Sequence, residues 1–339
     1  MTADIEQLMS DLSDPDEGVT RTLSRLEGDL MLLGAGGKIG HGLALMARRA
    51  LDAAGNGRRV IAVSRFSDAQ TRAAMQRDGI ETVTCDLADA DAVANLPEAS
   101  DLVYMAGQKF GATGAAGATW MLNTYVPALA AQRWPNSRFA VYSSGNVYPF
   151  TLPQSGGPAE DHEPAPIGEY AQSVLGRERM FEYFSIVNTT KVALVRLNYA
   201  VEPRYGVLVD LAKNMLAGKP IDLSMGYVNI VWQGDCNRVT LRCLDMAASP
   251  PVVLNLAGPG VLRVRELAEQ LGREMAVEPR FTGTEGETAL LSNGSRCWQA
   301  FGPPRIGVEQ MVRRVADWLK CAGSTLDKPT HFEVRNGKF

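Results

Sequence analysis

Asp29-Leu30-Met31-Leu32-Leu33-Gly34-Ala35-Gly36-Gly37-Lys38-Ile39-Gly40 is the stretch on which the fold turns. The apolar run at 30–33 reads as a short strand buried on both faces. Gly34, Gly37 and Gly40 follow at G-x-x-G-x-x-G spacing and open a segment, 39–54, whose Ala, Leu and Arg content reads as a helix. Strand, glycine turn and helix in that order give such a pattern its meaning. Glycine permits the tight turn and lets the backbone approach a pyrophosphate with no Cβ in the way. The helix N-terminus then offers unsatisfied N–H groups and the positive end of its dipole. Gly34, Gly36, Gly37, Lys38, Ile39 and Gly40 are therefore candidate dinucleotide-binding residues. The plainer alternative is a glycine-rich turn with no ligand.

Outward from this loop, strands and helices alternate. Strands are expected at 59–64, 81–85, 101–107, 138–144 and 191–197, and helices at 69–78, 120–134 and 169–185. That order implies an α/β fold: a Rossmann doubly wound parallel sheet wrapped on both faces. Beyond it, helices are expected at 206–218, 235–247 and 264–275, and strands at 227–233 and 252–257. These divide the chain into a leader (1–28), a nucleotide-binding domain (29–199 and 235–257) and a smaller C-terminal α/β substrate domain (200–234 and 258–339). A short amphipathic helix at 19–26 is expected to pack the leader on the main domain. The polar tail from 331 has strand-like alternation.

Composition narrows the function classes. The 339 residues carry a net charge of −4 and have no basic run, which argues against nucleic acid as a partner. No apolar stretch is long enough to span a bilayer. Residues 1–29 lack the apolar core of a signal peptide, so a cytoplasmic enzyme is expected. Five scattered cysteines without C-x-x-C spacing suit reduced thiols. His41, His162 and His331 fall in no metal-ligand pattern, and no metal is expected.

Ser64-Arg65 closes the second strand, where an acidic residue would hold the ribose 2′-OH of NAD. A carboxylate there would repel a 2′-phosphate, whereas Arg65 can pair with one in bidentate fashion. Lys38 adds positive charge from the loop. NADP is accordingly the preferred cofactor and NAD the alternative, unless Arg65 is only a solvated surface residue. Asp86, ending the third strand, is placed to accept from an adenine amino group, or to cap the helix that follows.

Together these residues resemble the extended short-chain dehydrogenase/reductase family, the NAD(P)-dependent epimerase/dehydratase group, over about residues 29–275. Gly34/Gly37/Gly40 matches its GxxGxxG, and Asp86-Leu87 its adenine-contacting pair. Tyr104-Met105-Ala106-Gly107 is similar to the fourth-strand motif that lies along the cofactor. Asn123 matches the helix asparagine. Tyr142-Ser143-Ser144-Gly145-Asn146-Val147-Tyr148 is close to Ser-Ser-x-x-Val-Tyr-Gly, with Pro149 replacing the last glycine. Tyr170 opens the helix where the catalytic tyrosine belongs; Arg196-Leu197-Asn198 and Asp235 fall at the sixth-strand arginine and the late aspartate. The resemblance implies Ser144, Tyr170 and Asn123 as catalytic residues. It also implies a homodimer paired through the helices carrying Asn123 and Tyr170, and two-fold dimers are the commonest closed assembly.

One departure is chemical. The family signature is Tyr-x-x-x-Lys, and this chain reads Tyr170-Ala171-Gln172-Ser173-Val174. In the family mechanism the lysine shares a helix face with the tyrosine, lowers its pKa from ~10 and binds the nicotinamide ribose. Val174 can do neither. Three readings stay open. Another cation serves: Lys109 after the fourth strand, or Arg177 one turn beyond Val174. Alternatively no tyrosinate is needed: the positive nicotinamide ring of NADP⁺ itself helps, or a carboxylate such as Glu160, Asp161 or Glu163 moves the proton. In the third, the protein binds cofactor without catalysis.

The substrate is expected at the carboxyl ends of the strands. Candidate wall segments are 108–113, 148–153, 198–206 and 229–233, supplying Lys109, Tyr148, Asn198, Tyr199, Arg204, Tyr205, Trp232 and Gln233. Aromatic faces stack on sugar rings and amides bond hydroxyls, although Trp232 and Tyr205 equally suit core packing. His162 precedes Tyr170 in a Pro-rich loop and reads as exposed or facing the site. The expected function is an NAD(P)-dependent oxidoreductase or epimerase acting on a hydroxyl or carbonyl of a sugar-like or small polar substrate. A non-catalytic NADP(H)-binding sensor or scaffold, and a dehydratase or lyase that recycles its cofactor, are the alternatives.

Overall fold

In the computed structural model, which describes residues 4–109 and 114–338, the run at 30–33 is an inner strand of a seven-stranded parallel sheet. The first six strands are β1 (Leu30–Leu33), β2 (Val60–Ser64), β3 (Glu81–Thr84), β4 (Asp101–Tyr104), β5 (Arg138–Ser144) and β6 (Lys191–Leu197). Four two-residue strands, β7 (Ala200–Val201), β8 (Ile221–Asp222), β9 (Tyr227–Val228) and β10 (Val231–Trp232), belong to small separate pairs, and β11 (Val252–Leu256) returns to the main sheet. The order is β11-β6-β5-β4-β1-β2-β3. Leu30 sits between Val60 and Asp101, so the order reverses beside β1, and the crevice above β1 and β4 is the switch point where α/β sheets take ligands.

Alternation along the strands sends side chains to two cores. Leu30, Leu32, Val60 and Ala62 pack under α2 (Glu17–Arg25) and α3 (Gly40–Ala53). Met31, Leu33, Ile61 and Val63 pack on the other face, against residues such as Val126, Trp134 and Phe181. α4 (Ala69–Arg77) joins α3 on the first face, where its Met75 is buried, and the other face is built from α5 (Ala90–Ala94), from α6 (Ala116–Trp120), which runs through a π-helical turn at Met121–Tyr125 into α7 (Val126–Arg133), and from α8 (Gly168–Asn188). A third core, in the second lobe, gathers α9 (Val207–Leu216), α11 (Val264–Met275) and α13 (Val308–Lys320). Between them, α10 (Gln233–Met246) packs on the sheet and α12 (Ser295–Phe301) on β11.

The leader holds two helices rather than one. Asp4 caps α1 (Ile5–Leu12) and Asp16 caps α2. Leu8 and Leu12 belong to the second lobe's core, whereas Val19 and Leu23 belong to the sheet's. Among the described residues the tail forms no strand. Instead it is a strap. Thr330 N and Oγ1 donate to Asp210 at 2.8 and 2.6 Å, Phe332 is buried, and Arg335 holds Thr288 O at 2.7 Å and Ser224 O at 3.1 Å. Gly337 then lies against Ile167 and Gly168, at the start of α8.

Candidate functional site

The carboxyl ends of β1, β4, β5 and β6 open on a cleft of about 500 Å³. Its first wall is the glycine loop. Gly40 must be glycine, because a Cβ there would stand 1.9 Å from Ala35 O. Gly37 is different: it lines the cleft, and a Cβ would find nothing nearer than Gly34 O at 3.7 Å. Aspartates cap α1, α2, α4 and α5, but no side chain caps α3. Gly40 N donates to Gly37 O at 3.2 Å, and the other first-turn N–H groups have no side-chain acceptor.

Lysines from three parts of the chain, Lys38, Lys109 and Lys328, share this cleft. Lys38 Nζ lies 3.3 Å from the centre of the Tyr205 ring. Burial, with Lys109 and Lys328 nearby, pushes Lys38 down to about 7, against the opposing pull of Asp210 and Glu202. Lys109 Nζ donates to Thr330 O at 3.0 Å and stands 5.8 Å from the Tyr170 ring centre. Burial brings it down to about 8. Among the described residues no carboxylate lines the cleft.

Ser144 and Tyr170 meet here. Ser144 ends β5, and its Oγ donates to Asn146 Oδ1 at 3.0 Å. It is also in hydrogen-bond contact with Tyr170. Burial raises the Tyr170 pKa above its ordinary value, and the Arg177 charge and the Ser144 contact pull against that. Asn123 is buried and outside the cleft. Its side chain bonds Gln108 N and O at 2.8 and 2.9 Å, Ser173 Oγ at 3.0 Å and Arg177 NH2 at 3.0 Å. An amide so fully engaged clamps the loop after β4 to α8 and has little left for a substrate. Val174 packs with Val147, Tyr148, Tyr170 and Leu175 in a small apolar cluster.

Of the expected cofactor residues, Gly34, Gly37, Lys38, Ile39, Met105, Gly107 and Tyr170 line the cleft. Ala106 backs Gly34, and Ser64 backs Gly36. Arg65 is exposed beyond β2; Asp86 accepts from Ala88 N at 3.1 Å in a turn, and Asp89, not Asp86, caps the next helix. Leu87 points into the core. Of the expected substrate residues, Lys109, Asn198 and Gln233 line the cleft, as do Tyr199 and Tyr205. Three others do not, and correct the expectation. Tyr148 is buried, its hydroxyl bonded to Asn255 and Arg196 at 2.8 and 2.7 Å. Trp232 points into the second lobe's core because strand alternation turns Gln233 the other way. Arg204 is tied to Glu202 at 3.0 Å, away from the cleft. Glu160 accepts from Asn255 N, and Asp161, His162 and Glu163 are exposed, so none reaches Tyr170's side of the cleft. Phe110, Gly111, Ala112 and Thr113 of the wall segment lie outside the described residues. Among the described residues no cluster of three metal-binding side chains occurs, and no helix is long and apolar enough to cross a membrane.

Two atoms test whether the cleft fits a ligand. Asn198 Nδ2 and Gln233 Nε2 are buried donors with no partner among the described residues, and both residues line the cleft. An unsatisfied buried donor costs roughly 1–3 kcal/mol, so a polar acceptor is the partner such a wall is built for. With the uncapped α3, the open side of Gly37 and the three lysines, the cleft fits an anionic dinucleotide beside a polar substrate. Sequence reasoning missed Lys328 and Thr330, which reach the cleft from the tail with no local signal.

The model of the NAD dependent epimerase/dehydratase family matches residues 30–248. No curated protein matches the chain in sequence. Solved structures share the fold. UDP-glucuronic acid 4-epimerase from Bacillus cereus, in complex with NAD, is 17% identical with a TM-score of 0.71, covering 86% of this chain and 98% of its own. The enzyme WbmH from Bordetella bronchiseptica, in complex with NAD+, is 19% identical with a TM-score of 0.69, covering 86% and 98%. UDP-glucose 4-epimerase from Thermotoga maritima, with UDP-glucose, is 16% identical with a TM-score of 0.70, covering 87% and 99%.

Proposed function

Since the chain belongs to the NAD dependent epimerase/dehydratase family and is an enzyme of that group, we propose that it interconverts a hydroxyl and a carbonyl on a sugar-like or small polar substrate. The observation that carries the reading is one cleft lined at once by the glycine loop, Ser144, Tyr170 and the unpartnered amides of Asn198 and Gln233. Gly34, Gly37 and Lys38 would hold the pyrophosphate of the dinucleotide, and Met105 and Gly107 would lie along it. When bound, that group supplies the hydride acceptor and donor. Ser144 orients the reacting oxygen. Tyr170 accepts the hydroxyl proton as the carbonyl forms and returns it in the reverse direction. Because burial raises its pKa, the resting phenol is protonated and serves directly as the acid for a carbonyl; to accept a hydroxyl proton it must first release its own to solvent. Asn198, Gln233 and Lys109 bind the substrate's polar groups.

The dinucleotide is NAD or NADP. The neighbours above that name one were solved with NAD, which lends NADP no support. Exposed Arg65, with no carboxylate beside it at the end of β2, is what would favour a 2′-phosphate. Calorimetry with both cofactors, repeated on Arg65→Ala, decides between them. A homodimer is supported by Met121 and Tyr125 beside α8, whose Tyr183, Ile186 and Val187 are also exposed. Tyr125→Glu with Ile186→Glu should turn a sedimenting dimer into a monomer.

The test of function is a panel of sugars, sugar acids and keto acids offered with each dinucleotide, with products identified chemically, since an enzyme that returns its hydride leaves no net change in nicotinamide absorbance. Tyr170→Phe should cost roughly 10²–10⁴ in rate and leave dinucleotide affinity within about twofold. Turnover that survives Tyr170→Phe refutes the assignment.

A further inference from the structure

Arg177 stands two helical turns beyond Tyr170, and side chains on a helix lean back toward its N-terminus. Its guanidinium is buried in the floor of the cleft. NH1 donates to Tyr142 O at 2.7 Å and NH2 to Asn123 Oδ1 at 3.0 Å, while Nε has no partner among the described residues. Room has been made for it. A Cβ on Gly107 would lie 2.2 Å from Arg177 NH2, so the glycine at the end of the β4 motif is what lets the guanidinium reach this place. Among the described residues no acidic side chain pairs with it; Glu178, the next residue, is taken up by Arg196 at 2.8 Å.

We propose that Arg177 supplies to Tyr170 the fixed positive charge that Val174 cannot, entering from one turn further along α8 and held there by Asn123 and the Tyr142 carbonyl. The inference rests on the proton-transfer reading of Tyr170. Arg177 acts through the tyrosine and is a positioning residue. Its charge opposes the upward push of burial on the Tyr170 hydroxyl. The other groups facing Tyr170 are Ser144 from β5, Lys109 from the loop after β4, and Tyr199 and Tyr205 from the second lobe. Of these only Lys109 carries charge, and burial brings it down to about 8, so it is neutral in the alkaline range where a tyrosine titrates. A guanidinium keeps its charge wherever the tyrosine could work.

Tyrosinate absorbance of the dinucleotide-free protein, taken at about pH 10.5 with the Tyr170→Phe spectrum subtracted, reads Tyr170 alone. An opposite charge nearby shifts such a group by about one pH unit or more. Arg177→Met should therefore cut the ionised fraction about tenfold, and move the acid limb of the rate profile up by a similar step. Arg177→Lys, which keeps a charge but loses the fork, should hold both near the native position. Gly107→Ala, which crowds the guanidinium from its far side, should act in the direction of Arg177→Met and serves if that variant does not fold. Equal ionisation in the native protein, Arg177→Met and Gly107→Ala overturns the proposal while leaving Tyr170's role intact. Turnover indifferent to Tyr170→Phe overturns both.

Discussion

Raising the pH from about 6 to about 9 should loosen the dinucleotide, and one lysine should account for it. Lys38 sits in the glycine loop with its ammonium over Tyr205, and burial together with Lys109 and Lys328 leaves it titrating at about 7. In the free protein about nine-tenths of it is charged at pH 6 and about one-hundredth at pH 9. A pyrophosphate beside it favours the charged form, so binding above neutrality must take up a proton. The dissociation constant should rise roughly tenfold per pH unit above 7, or about 100-fold by pH 9, equivalent to about 2.7 kcal/mol. The sign for stability is the reverse. The folded pKa is depressed, so the unfolded chain holds more protons between about 7 and the ordinary lysine value, and the free protein gains stability as pH rises through that window. The assay is calorimetric titration with NADH at four pH values in two buffers of different ionisation enthalpy, on native protein and Lys38→Met. Native affinity that stays flat from pH 6 to 9, or a slope that persists in Lys38→Met, refutes the reasoning.

Other perturbations separate structure from site. Gly40→Ala should lower the melting temperature sharply, since its Cβ meets Ala35 O, while Gly37→Ala should melt normally and bind dinucleotide at least tenfold more weakly. Glu178→Gln strands the buried Arg196 guanidinium, which the carboxylate now meets at 2.8 and 2.9 Å, and should cost about 3–5 kcal/mol in urea unfolding. Arg335→Ala removes the strap's bonds to Thr288 and Ser224; hydrogen exchange should quicken in 326–338 and stay unchanged in the sheet.

What could be read in the sequence was local. The glycine loop declares itself because strand, turn and helix are consecutive, and Ser144 and Tyr170 because each sits at an element boundary with a recognisable neighbourhood. The amphipathic spacing of Met311, Val312, Val315, Ala316 and Leu319 also marks α13, yet the region after 275 reads as unassigned without attention to it. The failures were questions of direction and distance. Tyr148 and Trp232 look like wall aromatics in a linear stretch, and only the turn of the strand tells which of Trp232 and Gln233 faces the ligand. Thr330 comes to Lys109 from more than two hundred positions away, and no period in the chain foretells that meeting. Arg177 reads as an ordinary helix charge until the gap beside Gly107 is seen.

The strap has a consequence in the order of synthesis. Gly37, Ser144 and Tyr170 all leave the ribosome well before Lys328 and Thr330, which complete the cleft. Until Thr330 arrives, Lys109 lacks that carbonyl acceptor. A chain ending before the strap would therefore carry the glycine loop and the Ser144–Tyr170 pair but lack the part of the cleft wall that Lys328 and Thr330 supply.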